Sequence, residues 1–331
     1  MTWPELLVDW NPSKGVTNLL KMVIVGQESF AGKIAENISS ARFFPLEKRL
    51  FPDGEVCPRL VISDPSQLEG THAIVALQLE LGQCVNQYLV SLLWTLYNVK
   101  RYRPAILTCI MPYHLYSRQD TEFREGEPFS SRYLSEALEA AGIDNFMTVN
   151  SHSYGKTDLG YFFPKSRAIG LSAVSTLARA LREHLDSPVD VICFSPDEGA
   201  LQLAQEAAQG LGSPYYGAIK KERDRDTGVI TQTFMGVGIP VEGHPVVIID
   251  DLVSSGGTMM GAAELLREKG ATDVYYLYTH PVHSSERFKR ILESKPRMVF
   301  ASDTIKTNFN GMTVVSVIPL LSDAIKRLPS A

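Results

Sequence analysis

A chain of 331 residues, 44% hydrophobic and 21% charged, has ordinary globular usage and length enough for two cores, which sets aside a disordered or fibrous protein. Its 32 Lys and Arg against 37 Asp and Glu leave a formal charge of -5, which gives no ground for a nucleic-acid partner that needs many neutralised phosphates. Glu5 and Asp9 stand where a secretory signal would be basic and then apolar, and no apolar run reaches membrane-spanning length, so a cytoplasmic protein with no membrane partner is expected.

Residues 1–21, with Pro4, Pro12 and Gly15, read as an extension. From Met22 onward, short Val- and Ile-rich runs alternate with segments of helical period, the pattern of an α/β protein whose mostly parallel sheets are flanked by helices. In the first half, strands are expected at Met22–Val25, His72–Leu79, Ala105–Met111 and Phe146–Val149, and helices at Phe30–Ile38, Val85–Tyr102 and Ser130–Ala141. The second half repeats the rhythm, with strands at Val189–Phe194, Val246–Ile249, Val274–Tyr278, Met298–Ala301 and Val314–Val317. Its helices are expected at Leu171–Leu185, Gly199–Leu211, Thr258–Lys269, Ser285–Ser294 and Leu321–Leu328. Gly155, Gly160 and Pro164 interrupt the pattern, so domains of 22–160 and 161–331 are expected. No sequence repeat links the halves, and any duplication is one of architecture. The four cysteines, Cys57, Cys84, Cys109 and Cys193, lack paired spacing and read as reduced core thiols.

The sharpest chemical signal is the run from Val246 to Thr258, a buried strand followed by Asp250, Asp251, a loop of small residues and a helix. A helix starting near Thr258 leaves its first N–H groups aimed at the loop, and Gly256 and Gly257 let the main chain wrap closely around a phosphate. Ser254, Ser255 and Thr258 add hydroxyls. Two carboxylates just before an anion site would repel a bare phosphate; they make sense if they grip sugar hydroxyls or, through water, a divalent metal. The ordinary alternative is a strand, a turn and a capped helix with solvated acids.

This run closely resembles the phosphoribosyl-diphosphate motif shared by phosphoribosyltransferases and ribose-phosphate pyrophosphokinases. Four further segments resemble signatures of the pyrophosphokinases, in the family's order: Phe51-Pro52-Asp53-Gly54-Glu55 with Arg59, the run Pro112 to Asp120, the loop Ser195 to Ala200, and Lys220 to Arg223. On their own residues, Arg118 reads as a fork for phosphate or as a plain surface arginine, and Phe51 as an adenine platform or a satellite core residue. Lys221 and Arg223 read as cations on a mobile loop or as a solvated hairpin.

The resemblance spans about residues 22–328. It implies two phosphoribosyltransferase-like domains, the first for ATP and the second for ribose phosphate. The implied reaction moves the β,γ-pyrophosphoryl group of ATP to the 1-hydroxyl of ribose 5-phosphate, giving 5-phosphoribosyl 1-diphosphate and AMP. ATP is then a co-substrate, Mg2+ the cofactor, and a homo-oligomer, dimer or higher, the expected assembly, with Phe51 to Glu55 reaching a neighbour's adenine. Lys221 and Arg223 take the catalytic role. Phe51, Asp53, Glu55, Arg118, Gln119, Asp120 and His152 take ATP, while Asp250, Asp251, Ser254, Ser255, Gly256, Gly257 and Thr258 take the ribose phosphate. His152 and Asp197 lie at the metal.

Three places depart from the family. Asn150 replaces an acid two residues before His152, which would weaken a metal contact. The segment Thr121 to Glu127 lacks the lysine-rich run that serves phosphate activation and ADP inhibition, and Gly82 to Gln87 lacks an Asn-Asp pair. These leave open the same chemistry on a larger 5-substituted ribose such as ADP-ribose. A non-catalytic regulatory paralogue is a second alternative, and a base phosphoribosyltransferase a third.

Overall fold

The computed structural model describes residues 20–153, 157–223, 230–236 and 240–328; for 220–223 and 230–233 the description is of the backbone. The extension expected at residues 1–21 lies almost wholly outside them.

The first half runs β1 (Met22–Gly26), α1 (Lys33–Glu36), β2 (Ala41–Glu47), β3 (Arg59–Leu60), β4 (His72–Ala76), β5 (Leu79–Glu80), α2 (Val85–Lys100), β6 (Ile106–Ile110), α3 (Ser130–Ala140), β7 (Asn145–Val149) and β8 (Arg167–Leu171). The second runs α4 (Val174–Arg182), β9 (Ile192–Ser195), α5 (Leu201–Leu211), β10 (Tyr216–Arg223), β11 (Ile230–Met235), β12 (Val246–Val253), α6 (Gly257–Glu268), β13 (Val274–Pro281), α7 (Ser285–Glu293), β14 (Met298–Ser302), β15 (Ile305–Lys306), β16 (Thr313–Val315) and α8 (Ile318–Lys326).

Two seven-stranded sheets result, β3-β2-β1-β4-β6-β7-β8 and β11-β10-β9-β12-β13-β14-β16. Each is parallel except for one antiparallel edge strand, β3 or β11. Counting only the strands that form it, each sheet has the order third, second, first, fourth, fifth, sixth, seventh, so the duplication of architecture is complete although the sequences differ. The central strands are apolar on both faces because helices cover both: His72–Ala76 and Asn145–Val149 are buried throughout. In the first sheet, Val75 and Leu107 pack with Leu92, Leu96 and Leu138, and Ile24 and Ile74 pack on the other face with Ile34, Leu321 and Ile325. In the second, Ile248 and Tyr276 meet Met259 and Phe288, while Val247 and Leu277 meet Leu177 and Ala207 on the opposite face.

Several expectations need correction. The strand expected at His72–Leu79 stops at Ala76; Leu79 and Glu80 leave the sheet and pair with Ile305 and Lys306 of the second half. The helix expected at Leu171–Leu185 starts only at Val174, because Arg167–Leu171 pairs with β7 as the seventh strand of the first sheet. The chain therefore crosses to the second sheet after Leu171, and the division drawn between residues 160 and 161 falls ahead of the first sheet's last strand. At the other end, α8 returns to pack on α1 and the first sheet. Cys109 and Cys193 are buried free thiols, but Cys57 and Cys84 are exposed and no part of a core. No helix among the described residues is long and apolar enough to cross a membrane.

Candidate active site

In the second sheet the strand order reverses between β9 and β12, and ligands of open α/β sheets bind outside the carboxyl ends of strands at such a switch point. Here β9 delivers Asp197 and β12 delivers Asp250 and Asp251, which line one cleft with Arg118, His152, Ser254, Ser255, Gly256 and Thr258. The strand continues through both acids to Val253, since Asp250 stays in register with Tyr278 and Leu252 with His280. Ser195 Oγ donates to Asp197 O at 2.7 Å and fixes the turn that carries Asp197.

Gly256 has φ 78 and ψ -6 and is the residue from which α6 departs; no side chain caps that helix. A Cβ at Gly256 would lie 2.5 Å from Ile291 Cγ1, so both its handedness and the packing of α7 against the loop require glycine. Gly257 N donates to Ser255 Oγ at 3.4 Å. The result is an uncapped helix start facing small residues and hydroxyls, an arrangement suited to an anion.

His152 Nδ1 lies 2.7 Å from Asp251 Oδ2, across the two sheets. The Asp251 side chain is only 13% exposed. Burial works against its ionisation, but the hydrogen bond and charge of His152 prevail and hold it below the usual carboxylate range. Burial pushes Asp250 well above that range, helped by the charges of Asp251 and Asp197. The Asp250 carboxylate accepts from Asp251 N at 2.9 Å. Three acids on one cleft thus call for a cation or for hydroxyl donors.

Other expected site residues fall as follows. Phe51, Asp53 and Glu55 form a tight turn between β2 and β3, in which Phe51 N donates to Glu55 O at 2.8 Å and Arg49 lies 4.7 Å over the Phe51 ring. Among the described residues that line the cleft, none comes from this turn. Gln119 directs its amide to Thr121 O and to Glu127 Oε2, within its own loop, beside Asp120. Lys221 and Arg223 lie at the outer end of β10, their backbones in register with Gln232 and Ile230. The stretch expected as mobile continues at 224–229, outside the described residues.

Sequence reasoning misjudged Asn150. Its amide does not line the cleft but is fully buried between the domains, at φ 35. Oδ1 accepts from Ala173 N at 2.8 Å and Thr279 Oγ1 at 3.0 Å, and Nδ2 donates to Ser172 Oγ at 3.2 Å. His280 Nε2 stands 3.1 Å from Asn150 O and Nδ1 2.9 Å from Thr304 Oγ1. Asn150 therefore ties the turn carrying His152 to β13, the neighbour of β12. Nothing local in Asn150-Ser151-His152 announces partners 129 residues away.

Two family models match the chain: the N-terminal domain of ribose phosphate pyrophosphokinase over residues 22–142 and a phosphoribosyl transferase domain over residues 168–313. The ribose-phosphate pyrophosphokinase of Methanopyrus kandleri is 33% identical over 296 residues, 89% of this chain and 94% of that protein. The chain belongs to the ribose-phosphate pyrophosphokinase family. The Listeria ivanovii member is 33% identical over 284 residues, 84% of each chain. The solved phosphoribosylpyrophosphate synthetase of Mycobacterium smegmatis superposes with a TM-score of 0.78 at 29% identity, covering 92% of this chain and 98% of that one.

Proposed function

We infer that the protein is an ATP-dependent pyrophosphokinase acting on ribose 5-phosphate. The observation that carries this is the meeting of His152, from the first domain, with Asp251 beside the uncapped Ser254-to-Thr258 loop of the second, in a chain of this family. The loop takes the 5-phosphate on its backbone N–H groups and hydroxyls, and Asp250 and Asp251 accept from the ribose hydroxyls. Arg118 and His152 face the same cleft from the ATP side. The 1-hydroxyl oxygen attacks the β-phosphorus in line; the bond from that phosphorus to the α,β-bridging oxygen breaks, the hydroxyl proton passes to solvent, and AMP leaves. Held reactants and fixed charge account for the acceleration, with Lys221 and Arg223 as the cations for charge on the transferring group.

Among the described residues no three His, Cys, Asp or Glu side chains could hold a metal by themselves. Three carboxylates on one cleft nevertheless fit a largely hydrated Mg2+ accompanying ATP, and His152 and Asp197 are the residues that would hold it. An ion held by these residues would supply neutralisation of phosphate charge. We further propose the homo-oligomer, because the turn at Phe51 stands apart from this chain's own cleft, and a cytoplasmic location.

The test is AMP release from ATP and Mg2+ with no acceptor, with ribose 5-phosphate and with ADP-ribose. AMP dependent on ribose 5-phosphate supports the reading. AMP with ADP-ribose alone keeps the mechanism and changes the acceptor, and no AMP with any acceptor overturns it.

A further inference from the structure

The anion loop is short of positive charge. Among the described residues that line the cleft, the only Lys or Arg is Arg118, which comes from the first domain. The loop itself offers N–H groups and hydroxyls, with two acids close behind it. A sugar monophosphate carries nearly two negative charges at neutral pH, so such a loop is electrostatically incomplete for it.

The missing charge stands on α7. Val282 N donates to Val253 O at 3.1 Å, which brings the chain leading into α7 alongside the loop. Ile291 fills the space beneath Gly256, where a Cβ would come within 2.5 Å. One turn earlier, Arg287 lies exposed in the first turn of the helix, its N–H donating to the Ser284 cap at 3.3 Å. Its guanidinium Nη1 reaches Ser254 Oγ at 3.4 Å. Ser254 is a lining residue of the cleft, so a phosphate seated on the loop would lie within reach of the same fork.

We propose that Arg287 is a specificity-determining residue of the acceptor site, binding the 5-phosphate of the sugar from the α7 side of the loop. The proposal rests on the reading that the Ser254-to-Thr258 loop holds that phosphate. Arg287 supplies charge to the bound acceptor and takes no part in the transfer step, so it acts on acceptor affinity. The guanidinium presents two donors where Ser254 presents one hydroxyl, which favours a phosphate monoester over a neutral ribose.

The experiment compares Arg287→Met and Arg287→Lys with the unaltered protein, in steady-state assays and in calorimetric titration with ribose 5-phosphate. Because Arg287 is exposed, the variants are expected to fold, and their unfolding midpoints check this. Arg287→Met is expected to raise KM and Kd for ribose 5-phosphate about tenfold, the scale of one charge-assisted hydrogen bond. Its kcat and its KM for ATP should stay within about twofold, and Arg287→Lys should fall between. Ser254→Ala separates a phosphate contact from mere bracing of the serine: a contact makes the Ser254→Ala and Arg287→Met losses add, whereas bracing makes the double variant no worse than Ser254→Ala. An unchanged Kd in Arg287→Met, or no added loss in the double variant, overturns the proposal. Absence of binding to the unaltered protein would overturn the loop reading itself, an outcome distinct from both.

Discussion

His152 and Asp251 meet at 2.7 Å although 99 residues separate them, one following β7 of the first sheet and the other within β12 of the second. The bond joins the two domains across the cleft, so on the proposed reading loss of either partner should be felt in catalysis before stability. His152→Ala is expected to lower the rate of AMP formation by about a hundredfold or more, the scale of losing one preorganised polar group at a reacting centre. Steady-state kinetics with ATP and ribose 5-phosphate measures it, and a kcat within twofold of the unaltered protein would remove His152 from the site.

Lys221 and Arg223 carry the transfer itself in this reading. Alanine at either position should cost about 10³-fold or more in turnover, the range of a cation that neutralises a phosphoryl group in transit. The unfolding midpoint should hold, since among the described strands β10 pairs there with the edge strand β11 alone, its pairing with β9 ending at Ala218. Single-turnover measurement of AMP separates this chemical defect from a slow release step.

Asn150→Asp should behave as a buried charge. The carboxylate would keep the bonds from Ala173 N and Thr279 Oγ1 but lose the donation to Ser172, whose hydroxyl already donates to Glu206 at 2.5 Å. A loss of about 3 kcal/mol is expected at pH 8. Burial raises the folded-state pKa of such a carboxyl above its unfolded value, so the penalty is full above the folded pKa, shrinks as pH falls below it and vanishes near the unfolded pKa. Chemical unfolding of variant and parent at pH 8 and at pH 5.5 reads the difference; a gap that does not shrink on acidification would contradict the placement of this amide.

Buried imidazoles set an acid limit on the fold. Burial lowers His114 to about 3 and His280 and His283 to about 4, while an unfolded histidine titrates near 6.5. Between those values the unfolded chain binds protons that the folded one refuses, so stability is full above about pH 6.5 and falls as pH drops toward 4. These three protons, at about 1.4 kcal/mol each per pH unit, set the steepest slope at about 4 kcal/mol per pH unit. Urea unfolding from pH 7 to pH 5 tests it, and a flat profile would contradict neutral burial of these rings.

The small-residue turn ahead of α6 was legible in the sequence because its geometry is local: Gly256, Gly257 and the neighbouring hydroxyls are adjacent in the chain. The central strands were legible because burial on both faces makes them unbroken apolar runs. Strand β2 was not, since Pro45 interrupts it and only Leu46 of its seven residues is buried. Strand β8 was hidden because Ala168-Ile169-Gly170-Leu171 runs straight into the apolar residues of α4. The site's long-range bonds had no local signal at all. Asn150 reads in sequence as a weakened metal position, whereas its positive φ turns the amide away from the cleft into the contact between domains. Nothing in the sequence near Arg287 points to the loop; the packing of Ile291 under Gly256 brings α7 there.

The central claim is that two phosphates move together. The most direct measurement is the mass of the sugar product and of the spent nucleotide after incubation with ATP, Mg2+ and ribose 5-phosphate. The expected result is a ribose 5-phosphate heavier by one pyrophosphoryl group, formed in equal amount with AMP. A product heavier by a single phosphoryl group together with ADP, or no sugar product at all, would contradict it.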